Sequence, residues 1–135
     1  MRTPGWEGRL AQVIEAARTA PYQLGVHDCF RFACAAIEAV TGRDRWPEFA
    51  GYVTKRDALA LIARHGSHFE AAFDWFFGRT REPWQHARRG DILALATPDG
   101  EKHLGVCNGS EVAFLSERGL VFVPISCCLC SWSVE

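Results

Sequence analysis

Residues 21–42 read Pro21-Tyr22-Gln23-Leu24-Gly25-Val26-His27-Asp28-Cys29-Phe30-Arg31-Phe32-Ala33-Cys34-Ala35-Ala36-Ile37-Glu38-Ala39-Val40-Thr41-Gly42. The first part has the wording of a loop and the second the wording of a helix. Asp28 is a good N-cap, because its carboxylate accepts hydrogen bonds from the free amides of a first helical turn. Behind it Cys29, Ala33, Ala36, Ile37 and Val40 recur at helical spacing and make one apolar face. Gly42 supplies the stop, since glycine adopts the left-handed conformation that closes a helix. The loop thus delivers Cys29 to the positive end of a helix dipole, which favours thiolate over thiol and suits a nucleophile.

The rest of the chain is read outward from that helix. Upstream, Leu10, Val13, Ile14 and Ala17 predict a short amphipathic helix that ends before Pro21. Downstream, residues 43–53 form an ordered loop anchored by Trp46, Phe49 and Tyr52. Thr54 caps a third helix with Asp57 at the capping-box position, and Gly66 ends it. Ser67 with Glu70 repeats the signal for a fourth helix, whose Phe69, Ala72, Phe73 and Phe76 share one face. That aromatic face reads as core or, alternatively, as a ligand box. Residues 79–90 turn polar and basic around Pro83-Trp84, as a solvated connection or as a surface for an anionic or glycan partner.

The period then changes from that of helices to that of strands. Strands are predicted at 91–96, 103–107, 111–115, 120–125 and 128–134. Thr97-Pro98-Asp99-Gly100 forms one turn and Asn108-Gly109 a two-residue hairpin turn. Pro124 places the fourth strand at an edge or a bulge. Helices first and an antiparallel β-meander of about five strands second make an α+β fold in a single domain, residues 1–135.

Composition narrows the function classes. A chain of 135 residues with 48% hydrophobic and 12% aromatic content supports one packed core. A formal charge of −1 gives no overall pull toward nucleic acid or a membrane surface. No run has the length of a membrane span, and the N-terminus lacks the apolar core of a secretion signal, so synthesis and folding in a host cytoplasm are expected. Six cysteines stand at positions 29, 34, 107, 127, 128 and 130. They fit free buried thiols, a disulfide framework or, through Cys127, Cys128 and Cys130, a metal or iron–sulfur site, although no second CxxC pair supports the last.

A cysteine at a helix start followed much later by a strand histidine is the order found in papain-like cysteine hydrolases. From residue types alone, an ordinary buried thiol and a core histidine are the favoured reading of Cys29 and His103. The local wording adds more. Pro21-Tyr22, Gly25 and Asp28-Cys29, then Gly90-Asp91-Ile92-Leu93, then His103-Leu104-Gly105-Val106 with Asn108-Gly109 resemble, in the same order, the NlpC-type cell-wall peptidases. The chain also looks like the short NlpC-type relatives encoded among bacteriophage tail genes. With those it shares Gly119-Leu120, Val123-Pro124 and Trp132 near the end, so the resemblance covers residues 20–134.

The resemblance implies a papain-like fold and a cysteine peptidase or amidase that acts on cell-wall peptide amides during genome delivery. It implies Cys29 as nucleophile, His103 as general base, and the Tyr22 hydroxyl with the Cys29 amide as holders of the oxyanion. It implies no cofactor, a cell-wall peptide as substrate, tail-tip proteins as further partners, and the virion tail as location. The alternative is a structural tail-tip or assembly protein that keeps the fold without turnover. The family also expects a polar residue on the next strand to orient the imidazole. With Asn108-Gly109 as the turn, Phe114 falls opposite His103 and Ser116 lies one step diagonal on the same face. Asp28 is read as a cap rather than an acid catalyst, and His27 as a neighbour of the site.

Overall fold

In the computed structural model, which describes all 135 residues, four α-helices precede five strands. The helices are α1 (Trp6–Ala17), α2 (Cys29–Thr41), α3 (Lys55–Ala63) and α4 (Phe69–Phe77). The strands are β1 (Ile92–Ala96), β2 (Lys102–Cys107), β3 (Glu111–Ser116), β4 (Gly119–Pro124) and β5 (Cys128–Trp132). All pairings are antiparallel, in the spatial order β4-β3-β2-β1-β5. The α+β arrangement expected from the two hydrophobic periods is the one found.

The central helix is α2. Phe30, Phe32, Ala33, Cys34, Ala36, Ile37, Ala39 and Val40 are all buried. Its apolar surface is therefore wider than the single face read from spacing, because α1 covers one side and β2 and β3 the other. Both ends behave as the residues dictate: Asp28 caps the start and Gly42, at φ 78°, closes the end. The phenylalanines of α4 belong to the same core. Phe73 and Phe76 are buried, and Phe76 lies against Phe49 with ring centroids 4.1 Å apart. Phe77 meets Trp132 at 5.2 Å. The aromatic stripe is core, as such a stripe is in most domains.

Sheet order and loop length together fix the sheet's shape. In a flat sheet four spacings would separate β4 from β5, about 19 Å. Only the short 3-10 turn Ile125–Cys127 joins them, and four Cα steps reach at most about 15 Å. The sheet therefore curls until its edges approach. Its convex face, with Ile92, Ala94, Leu104, Val106, Ala113, Leu115 and Trp132, packs on the helices. Its concave side holds a second, smaller core of Leu93, Leu95, Cys107, Val112, Phe114 and Cys128, with Trp84 and Ile125 packed against it.

Two local readings need correction, and one irregularity has no signal in the sequence. The fourth helix is capped by His68, whose Nδ1 accepts from the Ala71 amide at 3.2 Å, and not by Ser67. The hairpin between β2 and β3 turns on Gly109-Ser110, one residue later than Asn108-Gly109: the Asn108 amide donates to the Glu111 carbonyl at 2.8 Å. Gly109 takes φ 88° at the first central position, a conformation open to glycine and the hallmark of a II′ turn. As a result Cys107 faces Val112 and Val106 faces Ala113, a slip of two positions from the expected register. Because the slip is even, every side chain keeps its face. Finally, a bulge between Ala94 and Leu95 alters the β5 register, so Cys128 joins the concave core and Cys130 the helix-side core. Cys127 is exposed, and all six thiols are free.

No helix is long and apolar enough to cross a membrane. The basic connection at residues 79–90 is tied to its neighbours. Arg81 pairs with Asp74 at 2.8 Å, His86 lies 3.3 Å from Glu82, and Trp84 packs on the concave core.

Candidate active site

The site is built around the start of α2, which Asp28 holds in place. Its carboxylate accepts the Arg31 amide at 2.9 Å as a helix cap and the Gly25 amide at 2.8 Å across the loop. The Tyr52 hydroxyl donates to it as well. With only 2% exposure and three donors, Asp28 is fully occupied in fixing the loop. Tyr52, read from sequence only as an anchor, is the buried donor that completes this lock. The glycine at position 25 follows from the same packing. Its φ is 81°, and a Cβ there would run into the Tyr52 carbonyl oxygen.

Cys29 occupies the first turn of α2, in contact with the main core. The β2–β3 ladder explains what it faces. Paired residues are confined to Val106 with Ala113 and Cys107 with Val112, so the ladder has stopped by Leu104. The Leu104 amide is thereby free to approach the Cys29 sulfur, and with the amides of Cys29 and Phe30 it pulls the thiol's pKa down. Burial and the Asp28 carboxylate pull the other way. Burial is the largest influence, and the thiol is pushed up from 9.0 to about 12. The thiolate expected from the helix dipole alone is thus not the resting form; desolvation outweighs the dipole.

His103 precedes Leu104 on β2, pairs with Leu95 of β1 and points to the concave side, where its ring lies 5.5 Å from that of Phe114. Burial holds its pKa below 6.5, against Asp99 and Glu117, which raise it; Lys55 lowers it further. Tyr22 is partly buried against the core. Its pKa is pushed up to about 12 by burial first and then by Cys29, Asp28 and Glu117. Glu117 therefore acts on Tyr22 and His103 alike. The Cys29 sulfur thus has the Leu104 amide and the Tyr22 phenol as neighbours, while His103, one residue before Leu104, turns to the opposite, concave face beside Phe114. At neutral pH the three groups are a thiol, a neutral imidazole and a phenol that keeps its proton.

The polar residue expected on β3 is absent from its post. The slipped register leaves Phe114 diagonal to His103 rather than opposite, still in contact. The Ser116 hydroxyl donates to the Gly119 carbonyl at 2.9 Å and accepts the Arg118 amide at 3.1 Å, so it serves the β3–β4 turn. The side chain that does approach the imidazole is Glu101, whose Oε2 lies 4.0 Å from His103 Nε2. Strand alternation puts residues 101 and 103 on one face, which is the signal that could have found it in the sequence. The His27 Nε2 is buried without a hydrogen-bond partner.

Comparison with known proteins adds a family and a fold. The family described as "Domain of unknown function (DUF6950)" matches residues 1–134, and the chain belongs to it. No curated protein matches the sequence. Among solved structures, the chain is similar to one described as "Crystal structure of NlpC/p60 domain of peptidoglycan hydrolase SagA". The TM-score is 0.56 and the identity 16%, over 93% of this chain and 97% of that one. At that identity the likeness establishes a shared fold.

Proposed function

We propose that this member of the DUF6950 family is a cysteine-dependent amide hydrolase acting on peptide amides of the bacterial cell wall. One observation carries the reading. The sulfur at the start of α2 lies against the amide of Leu104, the residue that follows His103 on β2, and close to the Tyr22 phenol. The substrate class comes from the NlpC-type motifs and from the fold shared with the NlpC/p60 domain of a peptidoglycan hydrolase.

The chemistry follows from the protonation states. His103 takes the thiol proton as the Cys29 sulfur attacks the amide carbonyl, because a sulfur with a pKa near 12 is a poor nucleophile until that proton leaves. Negative charge grows on the carbonyl oxygen, where the Tyr22 hydroxyl and the Cys29 amide donate. The imidazolium then protonates the leaving amine, and the C–N bond breaks to leave a thioester on Cys29. Water, deprotonated by His103, releases the acid and restores the thiol. Activity is lost as pH falls through the His103 value, which burial places below 6.5.

The test is to incubate the protein with purified peptidoglycan and soluble muropeptides, following new amino groups and product masses. Cleavage is expected with the wild type, and Tyr22→Phe should slow it about 10²-fold with little change in KM, as for one lost oxyanion donor. The finer proposal, from the resemblance alone, is that the protein rides in a phage or prophage tail and opens the wall for DNA. Phe114 against the imidazole favours a second reading, a structural tail component without turnover. Co-purification with tail proteins and no cleavage of any wall fragment would select it.

A further inference from the structure

We infer that Glu101 is the positioning residue for His103, doing from the residue just before β2 what a residue on β3 would otherwise do; this rests on the hydrolase reading above. The geometry assigns the role by elimination and by contact. From β3, Phe114 offers only a ring face, and the Ser116 hydroxyl is spent on the β3–β4 turn. From β1, the paired residue is Leu95. In the β1–β2 turn, Asp99 Oδ1 accepts the Glu101 amide at 3.0 Å and the Thr97 hydroxyl, which ties that carboxylate to its own turn and leaves it to act on His103 through its field. From the β3–β4 turn, Glu117 acts on His103 only through its field. Glu101 is left as the carboxylate at the imidazole, 4.0 Å from Nε2.

The approach to Nε2 has a consequence for the other nitrogen. A carboxylate beside Nε2 favours the tautomer with its proton there, which leaves Nδ1 unprotonated to accept from a thiol. The same carboxylate stabilises the imidazolium once it forms. Glu101 is itself shared. Its Oε1 pairs with Lys55, the first residue of α3, while Oε2 faces His103. Lys55 thus holds the carboxylate in reach and competes with the imidazole for it. Removing the carboxylate and removing the ammonium therefore move the His103 pKa in opposite directions.

The experiment is an NMR pH titration of His103 in the full chain, with its signal assigned by loss in His103→Asn. In Glu101→Gln the His103 pKa is expected to fall by about half a unit to one unit, and in Lys55→Met to rise by a similar amount. Cys29 alkylation at neutral pH should slow about twofold to threefold in Glu101→Gln, following the weaker base. It should not respond to that change in a His103→Ala background. A purely structural Glu101 would not give shifts of opposite sign. A His103 titration unmoved in both variants, with alkylation still dependent on His103, overturns the assignment of Glu101 alone. Alkylation indifferent to His103 in the wild type sinks the hydrolase reading and the catalytic meaning of Glu101 with it.

Discussion

Replacing Cys29 by alanine is expected to abolish amide hydrolysis, a loss of at least about 10³-fold, while the fold stays intact. The sulfur is the only atom that forms a bond to substrate in this mechanism, and nothing nearby replaces it: the next cysteine along α2, Cys34, is buried within the core. The structural cost is small for three reasons. Alanine is the best helix former at a first-turn position. The Asp28 cap uses the Arg31 amide, not the thiol. Only one atom leaves the core edge, so stability should change by no more than about 1 kcal/mol. Rates on muropeptides and a melting curve on the same preparation check both halves. Wild-type turnover in Cys29→Ala would end the proposal.

The second large effect is on stability. Asp91→Ala is expected to destabilise the protein by about 3–5 kcal/mol, as loss of one partner of a buried ion pair does. That corresponds to a fall in Tm of roughly 10 °C or more for a domain of this size. Asp91 is 2% exposed at the mouth of β1. Its Oδ1 accepts from Arg2 Nη2 at 2.8 Å and from the Val134 amide at 3.0 Å, and its Oδ2 accepts from the Arg88 amide at 2.8 Å. One carboxylate therefore ties the N-terminal arm, the C-terminal segment and the loop before the sheet together. Removing it strands a guanidinium that is only 15% exposed. Thermal unfolding of the variant measures the loss, and a change below about 1 kcal/mol would mean these three segments are not held through Asp91. This gives the Gly90-Asp91 motif a structural meaning distinct from chemistry.

The contrast between local and distant causes explains what can be read from the sequence. The α2 helix is legible because its cap, its stop and its apolar spacing all lie within a short stretch of chain, from Asp28 to Gly42. The five strands are legible from their period, and Pro124 does sit on the edge strand β4. The hairpin turn is misplaced because Asn-Gly is the stronger local signal, while the observed Gly109-Ser110 turn is also held from outside by the Ile125 amide on the Ser110 carbonyl at 3.1 Å. The lock on Asp28 by Tyr52 spans 24 residues and leaves no local trace. Nor does the contact of Glu101 with Lys55, which joins α3 to the start of β2. For Cys29 the helix dipole is visible in the sequence, but the depth at which a helix start is buried is not, and depth decides the protonation state.

The curled sheet gives a physical sense to the site's placement. The helix-side thiol and the concave-side imidazole belong to opposite faces of the sheet, and faces do not exchange side chains within a continuous ladder. The β2–β3 pairing has ended by Leu104, whose amide reaches the sulfur from the residue next to His103. A stretch of unpaired strand would be a weakness elsewhere in a sheet. In the proposed mechanism it is here that a nucleophile on a helix and a base on a strand would work on one carbonyl.

The central claim, that His103 activates Cys29, is tested most directly by the alkylation rate of Cys29 against pH, followed by peptide mass spectrometry in wild type and in His103→Ala. No substrate has to be chosen for it. With a thiol near 12 and an imidazole below 6.5, the wild-type rate should rise through the His103 value and stay elevated at neutral pH. It should exceed that of His103→Ala by about tenfold or more. In the variant that limb should vanish and the rate should climb only as the solution approaches the thiol's own value. Two superimposed curves would contradict the account and leave Cys29 an ordinary buried thiol.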